Sequence, residues 1–64
     1  ARNHTKEFIQ FLGIAFGSSL ELETQAIISK KEYPNVSYIK IENLLVEIQK
    51  MLKGLIKSVE ARSQ

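Results

Sequence analysis

The chain has 64 residues, a formal net charge of +2, 44% apolar and 25% charged residues, no cysteine and a single histidine. That size allows one domain with a marginal core, since even a compact fold of about 60 residues buries only ~60% of its unfolded surface. Disulfides and thiolate metal sites are excluded, a zinc site within one chain is not built from His4 alone, and the composition is that of a globular rather than a disordered protein.

A first helix is predicted over about residues 4–30. It begins near Asn3–Thr5 with Glu7 in its first turn, and Lys30 and Lys31 complement the dipole at its end. At 100° per residue its apolar residues, Phe8, Ile9, Phe11, Leu12, Ala15, Phe16, Leu20, Leu22, Ala26 and Ile27, cover about half the circumference, with Ile14 and Ile28 beyond. One neighbouring helix covers only a stripe, so this arc calls for further helices. The nearly apolar run Phe8–Leu20 contains Gln10 and two glycines and falls short of the ~20 residues that cross a bilayer. Gly13-x-x-x-Gly17 is therefore not read as a membrane-dimer motif.

The segment Lys30–Ser37 (KKEYPNVS) is the one strong breaker, through Pro34 and Asn35. Asn35 or Ser37 is expected to cap a second helix over about 37–61. A connection this short makes the helices antiparallel neighbours. The second helix carries an apolar seam at Tyr38, Ile41, Leu45, Ile48, Leu52, Leu55 and Val59, widened by Leu44, Met51 and Ile56. The expected fold is all-α: an antiparallel hairpin, half of an up-and-down four-helix bundle, with residues 1–64 forming a single, partial bundle domain. The start at ARNHTKEF reads like the interior of a longer sequence.

Several positions stand out. Glu23 falls on the apolar arc beside Ser19, and a buried carboxylate must be paired. The expectation is a buried, structural Glu23 held by a hydroxyl such as that of Ser19 and by a cation from another helix. Glu21, two residues away, points elsewhere and cannot share a proton or metal with it. Gly17 is read as a site of close helix packing and Gly13 as a tolerated small residue. Lys50, Lys53 and Lys57 form a basic stripe on the second helix, either a track for a phosphate backbone or a solvated face near a helix C-terminus. Ile39 and Val46 share its side, as scattered surface residues or as an oligomer contact. No nucleophile–base pair, phosphate loop or metal spacing is present, so catalysis, cofactors and a small-molecule substrate are not expected. No secretory signal is seen, and a cytoplasmic location is expected.

KEFIQFLGIAFGSSLELETQ (residues 6–25) resembles a helix of the bacterial four-helix bundle proteins encoded in intervening sequences of 23S ribosomal RNA genes, whose pattern runs K-E-F-x-x-F-L-x-I-A-x-G-S-x-x-E-L-E-T-Q. KMLKGLIKSV (residues 50–59) is similar to the last helix of that family. Family members are nearly twice as long, and this chain resembles their C-terminal half. Pro34 in the linking segment departs from the family pattern. The resemblance implies a non-enzymatic bundle that forms homo-oligomers, commonly pentamers. A related branch, the accessory variability determinant proteins of diversity-generating retroelements, implies nucleic-acid binding through a basic surface. The expected function is thus a self-assembling bundle subunit contacting RNA through Lys50, Lys53 and Lys57. The alternative is a protein–protein scaffold with no nucleic-acid role.

Overall fold

The structure, a computed structural model, describes residues 2–62, with side chains from 4 to 62. It consists of α1 (Arg2–Glu32) and α2 (Ile39–Arg62) packed antiparallel, an all-α helical hairpin. Both helices lie within two residues of the expected spans. Lys30 and Lys31 occupy the last turn of α1, and the Tyr33 N–H still donates to the Ser29 carbonyl at 2.7 Å. Pro34 therefore ends the helix only just ahead of itself, by pushing Tyr33 out of the helical region.

The turn is fastened by Tyr38 rather than by the expected caps. Neither Asn35 nor Ser37 starts α2. The Tyr38 carbonyl accepts the Glu42 N–H at 2.9 Å, which makes Tyr38 the capping residue. Its hydroxyl sits 3.0 Å from the carbonyls of both Ser29 and Tyr33, tying the start of α2 to the end of α1. Lys30 Nζ donates to Glu42 Oε2 at 3.0 Å just beyond, where an acidic residue suits the α2 N-terminus and a basic one the α1 C-terminus.

The helices meet along ridges that step by three and four. On α1 the ridge runs through Thr5, Ile9, Leu12, Phe16, Ser19, Glu23, Ala26 and Lys30. On α2 it runs through Tyr38, Glu42, Leu45, Gln49, Leu52, Ile56 and Val59. Burial follows it, with Leu12, Leu45 and Leu52 forming the core at 4%, 3% and 9% exposure. The expected α2 seam is corrected here. Tyr38, Leu45, Leu52 and Val59 lie on the ridge, but Ile41, Ile48 and Leu55 do not, and Ile41 and Leu55 are 37% and 40% exposed. Polar Glu42 and Gln49 replace them because their partners on α1 are polar as well.

The same pairing corrects the reading of Glu23. It lies on the ridge yet is exposed, and it accepts a hydrogen bond from Gln49 Nε2 at 3.0 Å rather than facing a cation. Two long side chains meeting across the seam keep their polar ends at its margin, so no charge is stranded. Ser19 is buried as expected, at 7% exposure, but its hydroxyl donates to the Phe16 carbonyl at 2.6 Å, within its own helix. This bond satisfies the hydroxyl without Glu23. Gly17 is also corrected: a Cβ there would meet nothing within 4 Å. It faces away from α2 and sets no close approach within the hairpin, and Gly13 is equally open.

A hairpin of this kind is a rod. Its extents are 49 × 15 × 11 Å and its radius of gyration is 15.0 Å, against about 10–11 Å for a compact domain of this length. It exposes 5481 Å², where a compact monomer of 7.3 kDa would expose about 4200 Å². The excess is about 1300 Å² by that scaling. The wide apolar arc of α1 is thus left mostly uncovered by α2, as the sequence implied: Phe8, Phe11, Ile14, Leu20, Leu22, Ile27 and Ile28 are all more than two-fifths exposed.

Two substitutions test this packing. Leu45→Ala, in the core, is expected to cost about 2–3 kcal/mol, whereas Ile14→Ala, at 68% exposure on the outer face, is expected to cost less than about 0.5 kcal/mol. Glu23→Ala is expected to cost about 1 kcal/mol or less, the value of an exposed hydrogen bond, not the ~3–5 kcal/mol of a broken buried ion pair. Urea titrations followed by circular dichroism at fixed protein concentration measure all three. A large loss at Glu23 would mean that its carboxylate is buried in the folded protein.

Candidate functional site: a basic groove and an apolar face

Each helix carries residues on both sides of its contact ridge. Because the helices run antiparallel, positions displaced from the two ridges in the same rotational sense come to the same side of the hairpin. On one side lie Phe8, Phe11, Ala15 and Leu22 of α1 with Ile41, Leu44, Ile48, Met51 and Leu55 of α2. On the other lie Leu20 and Ile27 of α1 with Ile39, Val46, Lys50, Lys53 and Lys57 of α2. The hairpin therefore has a mostly apolar face and a mixed, basic one.

On the basic side, the lysine stripe borders a groove that the sequence did not reveal. Phe16 of α1 forms its floor with Ile56 and Gly54, and Lys50, Lys53 and Lys57 form its rim, around a volume of ≈ 530 Å³. Lys53 Nζ lies 5.6 Å from the centroid of the Phe16 ring, within range of a cation–π attraction. All three lysines are exposed and Phe16 is half-buried. Nothing near the stripe in sequence is aromatic, since the ring comes from the other helix about forty residues earlier in the chain. Only the level at which the hairpin closes could have disclosed it. The groove can hold an anion on its rim and an apolar or aromatic group on its floor. It holds no acid, base or nucleophile aligned for a reaction.

Nearer the turn, the same side has a smaller notch of ≈ 210 Å³ lined by Glu23, Ala26, Ile27, Glu42, Leu45, Val46 and Gln49. Val46 and Ile27 are thus brought together rather than scattered, while Ile39 is 65% exposed. The two carboxylates in the notch are engaged with Gln49 and Lys30. Among the described residues, no group of three or more His, Cys, Asp or Glu could hold a metal ion. No helix there is long and apolar enough to cross a membrane.

The apolar side shows a second repeat on each helix. On α2 it runs Ile41, Leu44, Ile48, Met51, Leu55, Ser58 and Arg62, and on α1 Phe8, Phe11, Ala15, Ser18, Leu22, Gln25 and Ser29, again in steps of three and four. This is the pattern of a bundle helix that faces two neighbours, one of which is already in place. No curated protein and no solved structure matches the chain. Residues 1–54 match the family of the 23S rRNA-intervening sequence protein, and the chain belongs to that family.

Proposed function

We propose that the chain is a non-enzymatic subunit of an up-and-down four-helix bundle, that it self-assembles into a homo-oligomer in the cytoplasm, and that it contacts RNA through Lys50, Lys53 and Lys57. The observation that carries the reading is the uncovered apolar face, a second full heptad seam on each helix. A monomer would keep that seam in water at a cost that assembly removes. The resemblance of the chain to the C-terminal half of longer family members fits a hairpin that lacks two helical neighbours. A five-membered ring of bundles is the assembly that the resemblance favours.

RNA is the weaker part of the reading. Three lysines on one chain are few, but an oligomer repeats the stripe and raises the effective concentration of cations. The groove offers a rim of cations and an aromatic floor, the elements by which proteins hold phosphates and bases without reading sequence. Likeness to the accessory variability determinant branch points the same way. The second reading, a scaffold with no nucleic-acid role, is favoured by one detail: Lys53 already rests on Phe16, which leaves two of the three cations unengaged by an aromatic partner.

Fluorescence anisotropy of a labelled, structured RNA separates the two. If all three lysines meet phosphates, affinity is expected to fall roughly 40-fold between about 50 and about 200 mM salt, the slope of three released counterions. The triple Lys→Glu variant is expected to lose binding and keep its helicity. Equal binding by the two proteins would leave the scaffold reading in place.

A further inference from the structure

We propose that the groove over Phe16 holds one unpaired nucleotide of an RNA strand, its base against the Phe16 ring and the neighbouring phosphates on Lys50, Lys53 and Lys57, and that Gly54 keeps the space for it. This rests on the RNA reading above and narrows it from RNA in general to strands with an unpaired base.

The first observation is the glycine. Gly54 stands in the interior of α2, where glycine is less favourable than every residue but proline. Nothing in the hairpin requires it. A Cβ there would meet nothing within 4 Å, and none of the described glycines has a positive φ. Gly54 lies four residues after Lys50 and three before Lys57, so a side chain at this position would stand among the ammonium groups. Without one, bare helix backbone lines this part of the groove, and its ≈ 530 Å³ stays open. That volume is within the ~300–1,000 Å³ of sites that hold small ligands.

The second is the ring. Lys53 Nζ lies over Phe16, 5.6 Å from its centroid, so the ring turns its face rather than its edge to the rim. A cation on an exposed ring is held weakly, and a base stacks there more strongly. Exchanging one for the other frees the Lys53 ammonium for a phosphate. In an A-form duplex the faces of the bases are taken up by stacking, so only an unpaired base can lie flat on the ring.

The third is charge. Lys50 to Lys57 spans about 10 Å of helix axis. A stacked strand carries a phosphate every ~3.4 Å, so the rim matches about three successive phosphates. None of the residues that line the groove is acidic. Glu47 and Glu60 flank the stripe on α2 without lining the groove. Every lining residue belongs to this one hairpin, so the site is complete whatever covers the apolar side.

Fluorescence anisotropy at low salt compares three labelled probes on the full chain: a single-stranded RNA, a duplex of the same sequence, and an acidic copolymer of glutamate and tyrosine. The single strand is expected to bind about tenfold more tightly than the duplex, the value of one stacked base. Phe16→Leu keeps the apolar volume and removes the ring. It is expected to weaken single-strand binding about tenfold, with duplex binding and the salt slope unchanged. Gly54→Gln fills the space among the lysines. It is expected to raise the melting temperature, because the helix gains a better former, and to weaken single-strand binding about fivefold or more. A fluorescent adenine analogue in the strand is expected to be quenched by the wild-type protein and much less by Phe16→Leu. Circular dichroism checks that both variants keep their helices. Duplex binding as tight as that of the single strand, or single-strand binding indifferent to both variants, would overturn this site and leave the RNA reading standing on the lysines alone. Tighter binding of the copolymer would overturn it in favour of an acidic protein partner. No binding of either RNA would overturn both readings.

Discussion

A two-helix hairpin can cover only one stripe on each of its helices, and every other feature of this molecule follows from that limit. Both helices carry two heptad seams. The hairpin spends one seam of each on the other helix and leaves the second in water. The result is a rod with three well-buried leucines and an apolar side. A core of that size contributes only a few kcal/mol, which the conformational entropy of 64 residues readily cancels. The hairpin is therefore stable to the extent that the second seam is covered.

The two seams are not alike, and the difference assigns their roles. The seam inside the hairpin is polar at two of its levels, through Glu23–Gln49 and Lys30–Glu42. Such pairs add little stability at an exposed margin. They do fix the level at which α1 and α2 meet, because sliding one helix by a turn would part both pairs and set Glu23 opposite Leu45 or Leu52. The Tyr38 hydroxyl, bonded across the turn, fixes the same register from the end. The outer seam has polar positions, Ser18, Gln25, Ser29, Ser58 and Arg62, but among the described residues no such pair joins its two helices. Its register is left to the fit of large residues against small ones, which suits a surface that must recognise something outside the hairpin.

Much of this was legible in the sequence. The breaker at Pro34 and the steps of three and four gave two helices within two residues of their ends, and the width of the α1 arc required further neighbours. The errors share a cause. A helical wheel shows which residues could face a partner but not how a helix is rotated when it offers two faces of similar quality. By apolarity alone Ile41, Ile48 and Leu55 belong to the inner seam, whereas in the fold that seam takes Glu42 and Gln49 to match Glu23 and Lys30. Glu23 was assigned to the interior because its neighbours on the wheel are apolar, but a long side chain on a ridge reaches its margin. Gly17 faces away from α2 and sets no close approach within the hairpin. The groove beneath the lysines was invisible for another reason: its floor, Phe16, belongs to the other helix.

The separation of the two sides carries the functional argument furthest. Had the lysines been scattered around α2, covering the apolar seam would have buried some of them, and a buried unpaired ammonium is costly. Lys50, Lys53 and Lys57 instead all project to the side opposite Leu44, Met51 and Leu55. The apolar seam can then close completely without desolvating a single lysine of the stripe. Closure also leaves the groove over Phe16 intact, since its walls come from one hairpin. Association through the apolar side and recognition of an anionic partner through the basic side are thus independent in geometry. In the proposed assembly they would be coupled only through number, each added hairpin bringing another groove. In the proposed function, a groove that would hold an anion weakly on one hairpin would become multivalent on assembly, with no change in the groove itself.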